Sequence, residues 1–512
     1  MTTRIKHRHN THGLKPDCLS FKEVLAQSFA VIAPTTIPAS NLGLIVALSG
    51  NGTWLSFVIG LIGLVLVSIN INQFASRSAS PGSLYSYIVQ GLGPTAGVIC
   101  GWSLLMAYLL TGMSVLCGFA SFSGVLFGHL GIHPASITLL SLGAGIAWYA
   151  AYKDIQLSAT AMFWLEGVSL LLILLLGFFI WQHQGFNLDM SQLTLQGVTP
   201  GNLATGLVLV MFGFSGFESA TSLGHEAKRP LKTIPKAVMG SVILAGIFFI
   251  FMTYVEVLGF QNTGMSITEV EEPLSFLSRQ LGMGWLGELI GIGALFSFFA
   301  CVLGSINPAA RIFFTMARHG LFPASIGNTH LTNRTPHIAV TICSFLVFLV
   351  PAGLSFLGIK LFASMGYLGA MCSYGFLTVY ILISLAAPIY LHKIKQLRFQ
   401  DLVFSISAIA FMMIPILGSV GIPGSQMFPS PEAPYNVFPY LFLIYITLTS
   451  GWFIWQKTRF PGITRSMKRG MEEIQEQLNT TKKVAIPSML VEQLPPNSSK
   501  SYQHKDLGAK IK

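Results

Sequence analysis

The chain has 512 residues, of which 52% are hydrophobic and only 10% are charged. Soluble domains carry roughly 25% charged residues, so this composition excludes an ordinary soluble protein and predicts a chain that folds in a bilayer. The net charge of +11 could indicate a nucleic-acid partner. The basic residues are concentrated in alternate connections between apolar segments, however, and this pattern predicts membrane topology and no nucleic-acid partner.

Twelve apolar segments follow one another along the chain. Each approaches the ~20 residues that cross a hydrocarbon core of ~30 Å. They are predicted near residues 24–48, 53–75, 95–127, 135–151, 157–182, 202–224, 236–259, 285–317, 337–354, 361–391, 402–421 and 436–456. The sequence therefore predicts an all-α membrane protein with about 12 transmembrane helices over residues 23–460, between polar tails at 1–22 and 461–512.

The placement of Lys and Arg predicts the orientation of these helices. The two tails and every second connection together hold 28 of the 30 basic residues, and only Arg279 and Lys360 lie on the opposite side. The positive-inside rule then places both termini in the cytoplasm and requires an even number of spans. We expect a multi-pass protein of the cell membrane, with tail residues that contact anionic membrane lipid.

Neither a metal centre nor an enzyme active site is predicted. The N-terminal tail contains His7, His9 and His12, which could form a metal-binding tract, although a solvated charged tail is the commoner case. Five of the six cysteines fall within apolar segments, and none forms a C-x-x-C pair. The apolar segments contain only isolated carboxylates, whereas catalysis needs a cluster of groups. No cofactor is expected.

Two of the twelve segments are unusual for helices in lipid. The first contains Ala33-Pro34-Thr35-Thr36-Ile37-Pro38, where each proline removes a backbone donor and crowds the preceding turn. The sixth contains residues 212–218, FGFSGFE, where two glycines weaken the helix immediately before a carboxylate. Both segments are predicted to be broken helices.

Broken helices have a consequence for the fold, because unpaired backbone groups cannot face hydrocarbon. Each break must line a cavity or be covered by protein. The breaks lie five spans apart, at corresponding places of two five-span halves, which predicts an inverted repeat with a site at the membrane midplane. The alternative is that Gly-x-x-Gly only lets two helices pack closely, but the matched pair favours the repeat.

Three motifs carry a resemblance to a known family. They are residues 80–87 (SPGSLYSY) followed by Leu92-Gly93-Pro94 and Gly101-Trp102, residues 213–218 followed by Glu226, Pro230 and 232–235 (KTIP), and residues 307–311 (NPAAR). Together they resemble the amino acid, polyamine and organocation (APC) permease superfamily. Two positions differ from the family pattern, since Arg229 replaces the usual Asn, and Pro34-Thr35-Thr36 stands near the place of a usual Gly-Ser-Gly.

The resemblance implies a fold and a function. The fold is a 5+5 inverted repeat, over about 23–182 and 202–391, with broken first and sixth helices and two extra helices at about 402–456. The function is secondary transport of amino acids or related amines by alternating access, with proton or sodium coupling or by exchange. A channel, or an amino acid sensor that keeps the transporter fold without transporting, remains an alternative.

The resemblance also implies the substrate site. Phe212 falls where the family places an aromatic gate, and an unwound turn after it would offer carbonyls to an ammonium group. Thr35 and Thr36 could supply a half-helix N-terminus and hydroxyls for a carboxylate. Ordinary packing is the alternative for Phe212 and Phe214. The predicted substrate-binding residues are Ala33, Pro34, Thr35, Thr36, Phe212, Gly213, Phe214, Ser215 and Gly216.

Two carboxylates inside spans are predicted to serve coupling or gating. An ionised carboxylate in a membrane is costly and is normally paired or protonated. Glu218 in the sixth span fits this role, or it ties that span to a neighbour. Glu166 lies ten residues past Gln156, roughly 15 Å into the fifth span and near its middle, where it could carry a coupling proton.

Other polar residues near or within the spans are predicted to have simpler roles. Glu256 and Glu288 fall close to outer span ends and are interpreted as interfacial. Ser297 and Ser305 in the eighth span could serve an ion site, although serines that pack helices together are commoner.

Overall fold

The computed structural model describes residues 13–261, 263–270, 272–460, 462–467 and 469. The described chain is helical apart from its connections and one isolated parallel bridge between Leu19 and Ala227. His7, His9 and His12 lie outside the described residues, as do residues 1–12 of the predicted N-terminal tail and most of the predicted C-terminal tail.

Nine helical stretches of the described chain are long and apolar enough to cross a membrane. The first of them, Phe21–Ala75, contains two crossings, because the turn at Gly50–Gly52 reverses the chain. The helix Ser136–Lys153 and the interrupted stretch at residues 200–223 complete the series of twelve.

The twelve spans agree with the predicted segments to within a few residues, except that the helix of span 7 begins at Pro230 and not near residue 236. Spans 1 to 6 are Phe21–Ser49 with an interruption, Thr53–Ala75, Pro94–His129, Ser136–Lys153, Ile155–His183, and Pro200–Leu223 with an interruption. Spans 7 to 12 are Pro230–Phe260, Gly284–Arg318, His337–Phe356, Leu361–Lys393, Phe399–Val420 and Phe438–Arg459. Shorter helices at Ser83–Leu92, Met190–Leu193 and Pro273–Gln280 connect them.

Burial distinguishes central spans from peripheral ones. In the most apolar window of span 3, 89% of the residues are buried, against 28% in span 11 and 22% in span 12. The exposed side chains of the outer helices are large and apolar, such as Ile406 and Leu448. Because such surfaces are stable only against lipid, spans 11 and 12 lie at the edge of the bundle, as expected for two extra helices.

A short helix, Pro273–Gln280, lies in the connection between spans 7 and 8 and has proline in its first turn. Its Leu277 packs against Gly259 of span 7, and its Ser278 packs against Gly287 of span 8. This helix therefore covers the side of the bundle opposite the N-terminal segment 13–20.

Candidate functional site

The break in span 1 lies where the two prolines predicted it. The helix ends at Ile32, and Ala33 takes a left-handed conformation with φ 46°. The Thr36 N–H and hydroxyl both donate to the Ala33 carbonyl, at 3.0 and 2.8 Å. The chain then resumes as a π-helical turn, Ile37–Asn41. Non-glycine residues in left-handed backbone and π-helical turns both concentrate at functional sites.

The break in span 6 also matches the prediction. The helix Pro200–Gly213 gives way to a turn at residues 214–218 and then to a single 3-10 stretch, Ser219–Leu223. Gly216 has φ 85°, and a Cβ there would overlap the Val31 side chain of span 1. Glycine is therefore required at 216 for two independent reasons, its backbone conformation and the close approach of span 1.

The two breaks lie against each other inside the bundle. The Ser219 hydroxyl donates to the Gln27 carbonyl at 3.2 Å, and the Ala220 N–H donates to the Ser28 hydroxyl at 3.0 Å. Residues 31–40 and 213–224 are all buried. Of the two predicted alternatives, a break that lines a cavity or one covered by protein, the structure shows cover by protein at both breaks.

The breaks interrupt the regular pattern of helical backbone hydrogen bonds. Backbone hydrogen bonds at both breaks span three residues: Thr36 N–H donates to the Ala33 carbonyl, Ser215 N–H to Phe212, and Ser219 N–H to Gly216. A helix end leaves its last carbonyls and its first N–H groups without partners inside the helix. The helix ends at Ile32 and Gly213 and the helix start at Ile37 therefore suit a cationic group beside an anionic one.

The two phenylalanines at the break behave differently. Phe214 is fully buried and packs on Phe57 and Phe249, with ring centroids 6.1 and 5.0 Å apart. Phe212 is half-buried, and its ring reaches across to Gly369 of span 10. The side chain of Phe214 therefore serves packing, whereas the ring of Phe212 bridges two spans beside the break.

Glu218 is held by tyrosines from two other spans. Tyr108 of span 3 and Tyr380 of span 10 each donate a hydroxyl to one carboxylate oxygen, both at 2.7 Å. The Gly216 N–H donates to the Tyr380 hydroxyl at 3.3 Å. Both oxygens of this fully buried side chain are occupied, so Glu218 joins the turn of span 6 to spans 3 and 10.

Glu166 lies beside the other break. The residue is 2% exposed, and its carboxylate lies near the Thr35 backbone N–H of span 1 and the Ser297 hydroxyl of span 8. Neither group completes a hydrogen bond to it, and both carboxylate oxygens lack a partner among the described residues. The two carboxylates predicted for coupling or gating thus each contact one break.

A buried ion pair closes the bundle on the side of the N-terminal segment. Arg311 of span 8 donates to both carboxylate oxygens of Glu226, at 2.8 and 2.6 Å, and both side chains are 1% exposed. The Glu226 carbonyl accepts from the Cys18 and Leu19 N–H groups, each at 2.9 Å. Lys15 extends this closure through Asp154 at 3.1 Å.

Sequence reasoning did not identify this closure, although Glu226 and Arg311 both stand in the quoted motifs. The usable signal was an arginine inside the last turns of an apolar helix, because a buried arginine requires an acidic partner. The interpretation of Glu256 as interfacial was wrong, since that side chain is fully buried and has no partner within the described residues. Glu288 is exposed and lies 3.4 Å from His129.

Comparison with known proteins identifies the family. The model of the amino acid permease family matches residues 19–449, which cover both breaks and eleven complete spans. The chain belongs to the amino acid permease family. It is a multi-pass membrane transporter.

Relatives of this permease are distant and differ in the substrate for which they are named. The branched-chain amino acid permease BcaP of Bacillus subtilis strain 168 is 25% identical over 405 residues, covering 74% of this chain and 82% of BcaP. The low-affinity putrescine importer PlaP of Escherichia coli strain K12 is 25% identical over 351 residues, covering 65% of this chain and 74% of PlaP.

A solved structure shares the fold of this permease. The crystal structure of MhsT in complex with L-phenylalanine has a TM-score of 0.51 and 16% sequence identity, and the match covers 79% of this chain and 99% of MhsT. The predicted fold, an inverted repeat with broken first and sixth helices and two extra helices, is confirmed.

Proposed function

We propose that this permease moves amino acids or related amines across the cell membrane by alternating access, with both termini in the cytoplasm. One observation carries the proposal: the two helix breaks lie against each other in the bundle interior, where the helix ends at Ile32 and Gly213 and the helix start at Ile37 are all buried. The carbonyls suit an ammonium group and the half-helix N-terminus suits a carboxylate. The names of the two relatives, an amino acid permease and a putrescine importer, support the same chemical class.

The predicted substrate residues have distinct roles in this proposal. The segment from Ala33 to Thr36 presents the half-helix N-terminus, and the segment from Gly213 to Gly216 presents the carbonyls. Phe212 closes the site by lying across to Gly369, as its reach between spans 6 and 10 supports. A substrate that entered would displace this ring, because the site is otherwise buried on all sides.

The two carboxylates have different roles. Glu218 is a gating residue, since its two tyrosine partners fix the turn of span 6 against spans 3 and 10. Glu166 is a coupling residue that gains and loses a proton during the cycle, since its oxygens are unpartnered and it faces the break of span 1. Movement of that break would change the surroundings of Glu166 and hence its proton affinity.

Purified permease in proteoliposomes tests the proposal. Uptake of a radiolabelled panel of amino acids and amines is measured with and without proton and sodium gradients. We expect saturable uptake of at least one panel member and counterflow when the same compound is loaded inside. Flux that does not saturate would favour a channel, and binding without flux would favour a sensor.

A matched pair of variants connects uptake to the site. Phe212→Ala removes the proposed gate, whereas Phe345→Ala removes an exposed ring of the same size on span 9. We expect only Phe212→Ala to raise the substrate concentration for half-maximal uptake. Equal effects of the two substitutions would contradict the assignment of the site.

A further inference from the structure

A groove of about 280 Å³ lies between spans 4 and 9, far from the two breaks. Small residues of span 4, such as Ala144 and Gly145, form one wall, and span 9 forms the other with residues that include Ser344 and Phe348. A membrane-spanning helix 10 Å across and 30 Å long displaces roughly 2,400 Å³. The groove is therefore too small to seat a helix, whereas the acyl chain of a lipid is thin enough to enter.

The Ser344 hydroxyl lies in this groove without a hydrogen-bond partner among the described residues. The residue is 4% exposed. Its neighbour Thr341 is satisfied, because it donates to the His337 carbonyl at 2.9 Å and accepts from the Trp148 indole at 3.1 Å. Hydrocarbon offers no acceptor to the Ser344 hydroxyl, whereas the glycerol esters of a phospholipid do. The groove thus suits a ligand that has an apolar chain and polar oxygens.

One end of the groove reaches the membrane interface. The ring of Trp148 contacts that of Tyr152, with centroids 5.5 Å apart, and Tyr152 contacts the ring of His330 at 5.4 Å. Tryptophan and tyrosine are enriched where hydrocarbon meets the lipid headgroups. Lys15 of the N-terminal segment pairs with Asp154 at the same end of span 4. This end is therefore the one that the proposed function places in the cytoplasm.

Two cations, Lys153 and Arg334, belong to this end of the groove. The Tyr152 carbonyl accepts from the Asn333 amide at 3.3 Å and from the Thr335 hydroxyl at 2.8 Å. Lys153 follows Tyr152 in the chain, and Arg334 lies between the two donors, so both cations flank this junction of span 4 with the loop before span 9. Both side chains are exposed. Neither forms a hydrogen bond or an ion pair with another described residue.

The charge at this end of the groove suits an anionic ligand. Asp154, the carboxylate nearest to Lys153 along the chain, already binds Lys15 at 3.1 Å. Basic pockets between membrane helices on the cytoplasmic side bind anionic lipid headgroups. We propose that an anionic phospholipid binds here, with its phosphate at Lys153 and Arg334, one acyl chain in the groove and a glycerol ester at the Ser344 hydroxyl. Only the choice of the cytoplasmic leaflet rests on the proposed function.

Native mass spectrometry of the full chain in detergent measures this binding. Phosphatidylglycerol and phosphatidylcholine with identical acyl chains are titrated separately, and the dissociation constant of the first bound lipid is compared. Each Lys or Arg near an anionic headgroup contributes about fivefold. We therefore expect phosphatidylglycerol to bind about 25-fold more tightly than phosphatidylcholine. Equal affinities for the two lipids would overturn the inference.

A matched pair of double variants connects this preference to the two cations. Lys153→Gln with Arg334→Gln removes both charges at the groove. Lys232→Gln with Lys236→Gln removes two exposed charges of span 7, which does not line the groove. We expect only the first pair to abolish the preference for phosphatidylglycerol. The same loss of preference in both double variants would overturn the assignment of the headgroup.

Two glycine substitutions test the place of the acyl chain. Gly145→Leu fills the groove, whereas Gly353→Leu adds the same side chain to span 9 outside it. A Cβ at either glycine has no other atom within 4 Å, so both variants should keep the fold. We expect Gly145→Leu to weaken the binding of both lipids and Gly353→Leu to weaken neither. Lipid binding to Gly145→Leu that equals binding to Gly353→Leu would overturn the inference.

A second copy of the chain is the competing occupant of this surface, because Ser141 and Gly145 lie four residues apart and small residues at that spacing let helices associate. The same spectra report dimers. Dimers that Gly145→Leu removes, with lipid affinity unchanged, would assign the groove to a second copy and overturn the lipid site.

Photo-crosslinking provides a second measurement. Phosphatidylglycerol with a diazirine on its acyl chain should label peptides that contain residues 141–148 and 341–348, and labelling confined to other spans would overturn the inference. Neither measurement needs a transported substrate. The expected lipid binding without uptake of any panel compound would overturn the proposed function and leave the lipid site intact.

Discussion

Loss of the Arg311 guanidinium should open the permease on the side of its N-terminal segment. Arg311 and Glu226 are each 1% exposed and form a bidentate pair. Arg311→Met keeps the length and apolar contacts of the side chain but leaves Glu226 as an uncompensated buried charge. Removal of one partner of a buried pair costs about 3–5 kcal/mol. This free energy is lost by the closed conformation, in which Glu226 stays buried. It is not lost by an open conformation in which water hydrates Glu226, so the substitution favours the open one.

Cys18 is a natural reporter of that opening. The other five cysteines of the chain are buried, whereas Cys18 is half-buried at the closure, where its N–H donates to the Glu226 carbonyl. Burial, and secondarily the nearby Glu226 charge, raise the pKa of the Cys18 thiol from 9.0 to about 11. Maleimides react with the thiolate, so the closed conformation suppresses labelling.

The size of the effect follows from that pKa. Release of Cys18 to water returns its pKa towards 9, which raises the thiolate fraction about 100-fold at any pH below 9. The less basic thiolate is also a weaker nucleophile, by about tenfold for two pKa units. The net acceleration should be about tenfold, and the midpoint of the pH dependence should fall from about 11 towards 9.

The assay is the rate of N-ethylmaleimide addition to Cys18, measured by intact-protein mass. Arg318→Met is the matched control, because Arg318 lies on the same helix but is exposed. Size-exclusion chromatography establishes that each variant remains folded. A labelling rate and pH midpoint in Arg311→Met equal to those of Arg318→Met would refute the reasoning that the ion pair holds the closure.

Two further substitutions test the breaks. Glu218→Gln replaces one acceptor oxygen with an NH₂ group, which cannot accept a hydrogen bond from the Tyr108 or Tyr380 hydroxyl. We therefore expect impaired uptake with normal membrane insertion. Uptake at the wild-type rate would contradict the gating role. Gly216→Ala should lower the melting temperature, since the left-handed backbone costs about 1–2 kcal/mol and the overlap about 1–3 kcal/mol. Gly145→Ala, with open space at its Cβ, should not.

Features set by local chemistry could be predicted from the sequence. Pro34 and Pro38 interrupt span 1 because a proline cannot donate a backbone hydrogen bond, whatever surrounds it. The span boundaries follow from the lengths of the apolar runs, because the thickness of the hydrocarbon core is fixed. The left-handed conformation of Gly216 does not follow from the residue type alone, because glycine permits a left-handed turn without enforcing one. Its close contact with Val31 shows why only glycine fits.

Features set by tertiary pairing could not be predicted. Glu218 meets Tyr108 and Tyr380 across sequence separations of 110 and 162 residues, and no local pattern encodes such partners. Burial could not be predicted for Glu256 either. Its position near a span end suggested an interfacial side chain, whereas the side chain is fully buried. The helix Pro273–Gln280 instead covers that end of span 7 through Leu277 and Gly259. Depth along a span therefore does not determine burial when a connection folds back over it.

The arrangement of the two carboxylates gives the cycle a physical basis. Glu166 belongs to the first repeat but faces Ser297 of the second. Glu218 belongs to the second repeat but accepts from Tyr108 of the first. Each carboxylate therefore lies where the two repeats meet, Glu166 beside the break of span 1 and Glu218 in the turn of span 6. A proton on Glu166 would remove the negative charge from the first contact while leaving the second unchanged. Coupling then requires only that the proton and the substrate favour the same position of Thr35.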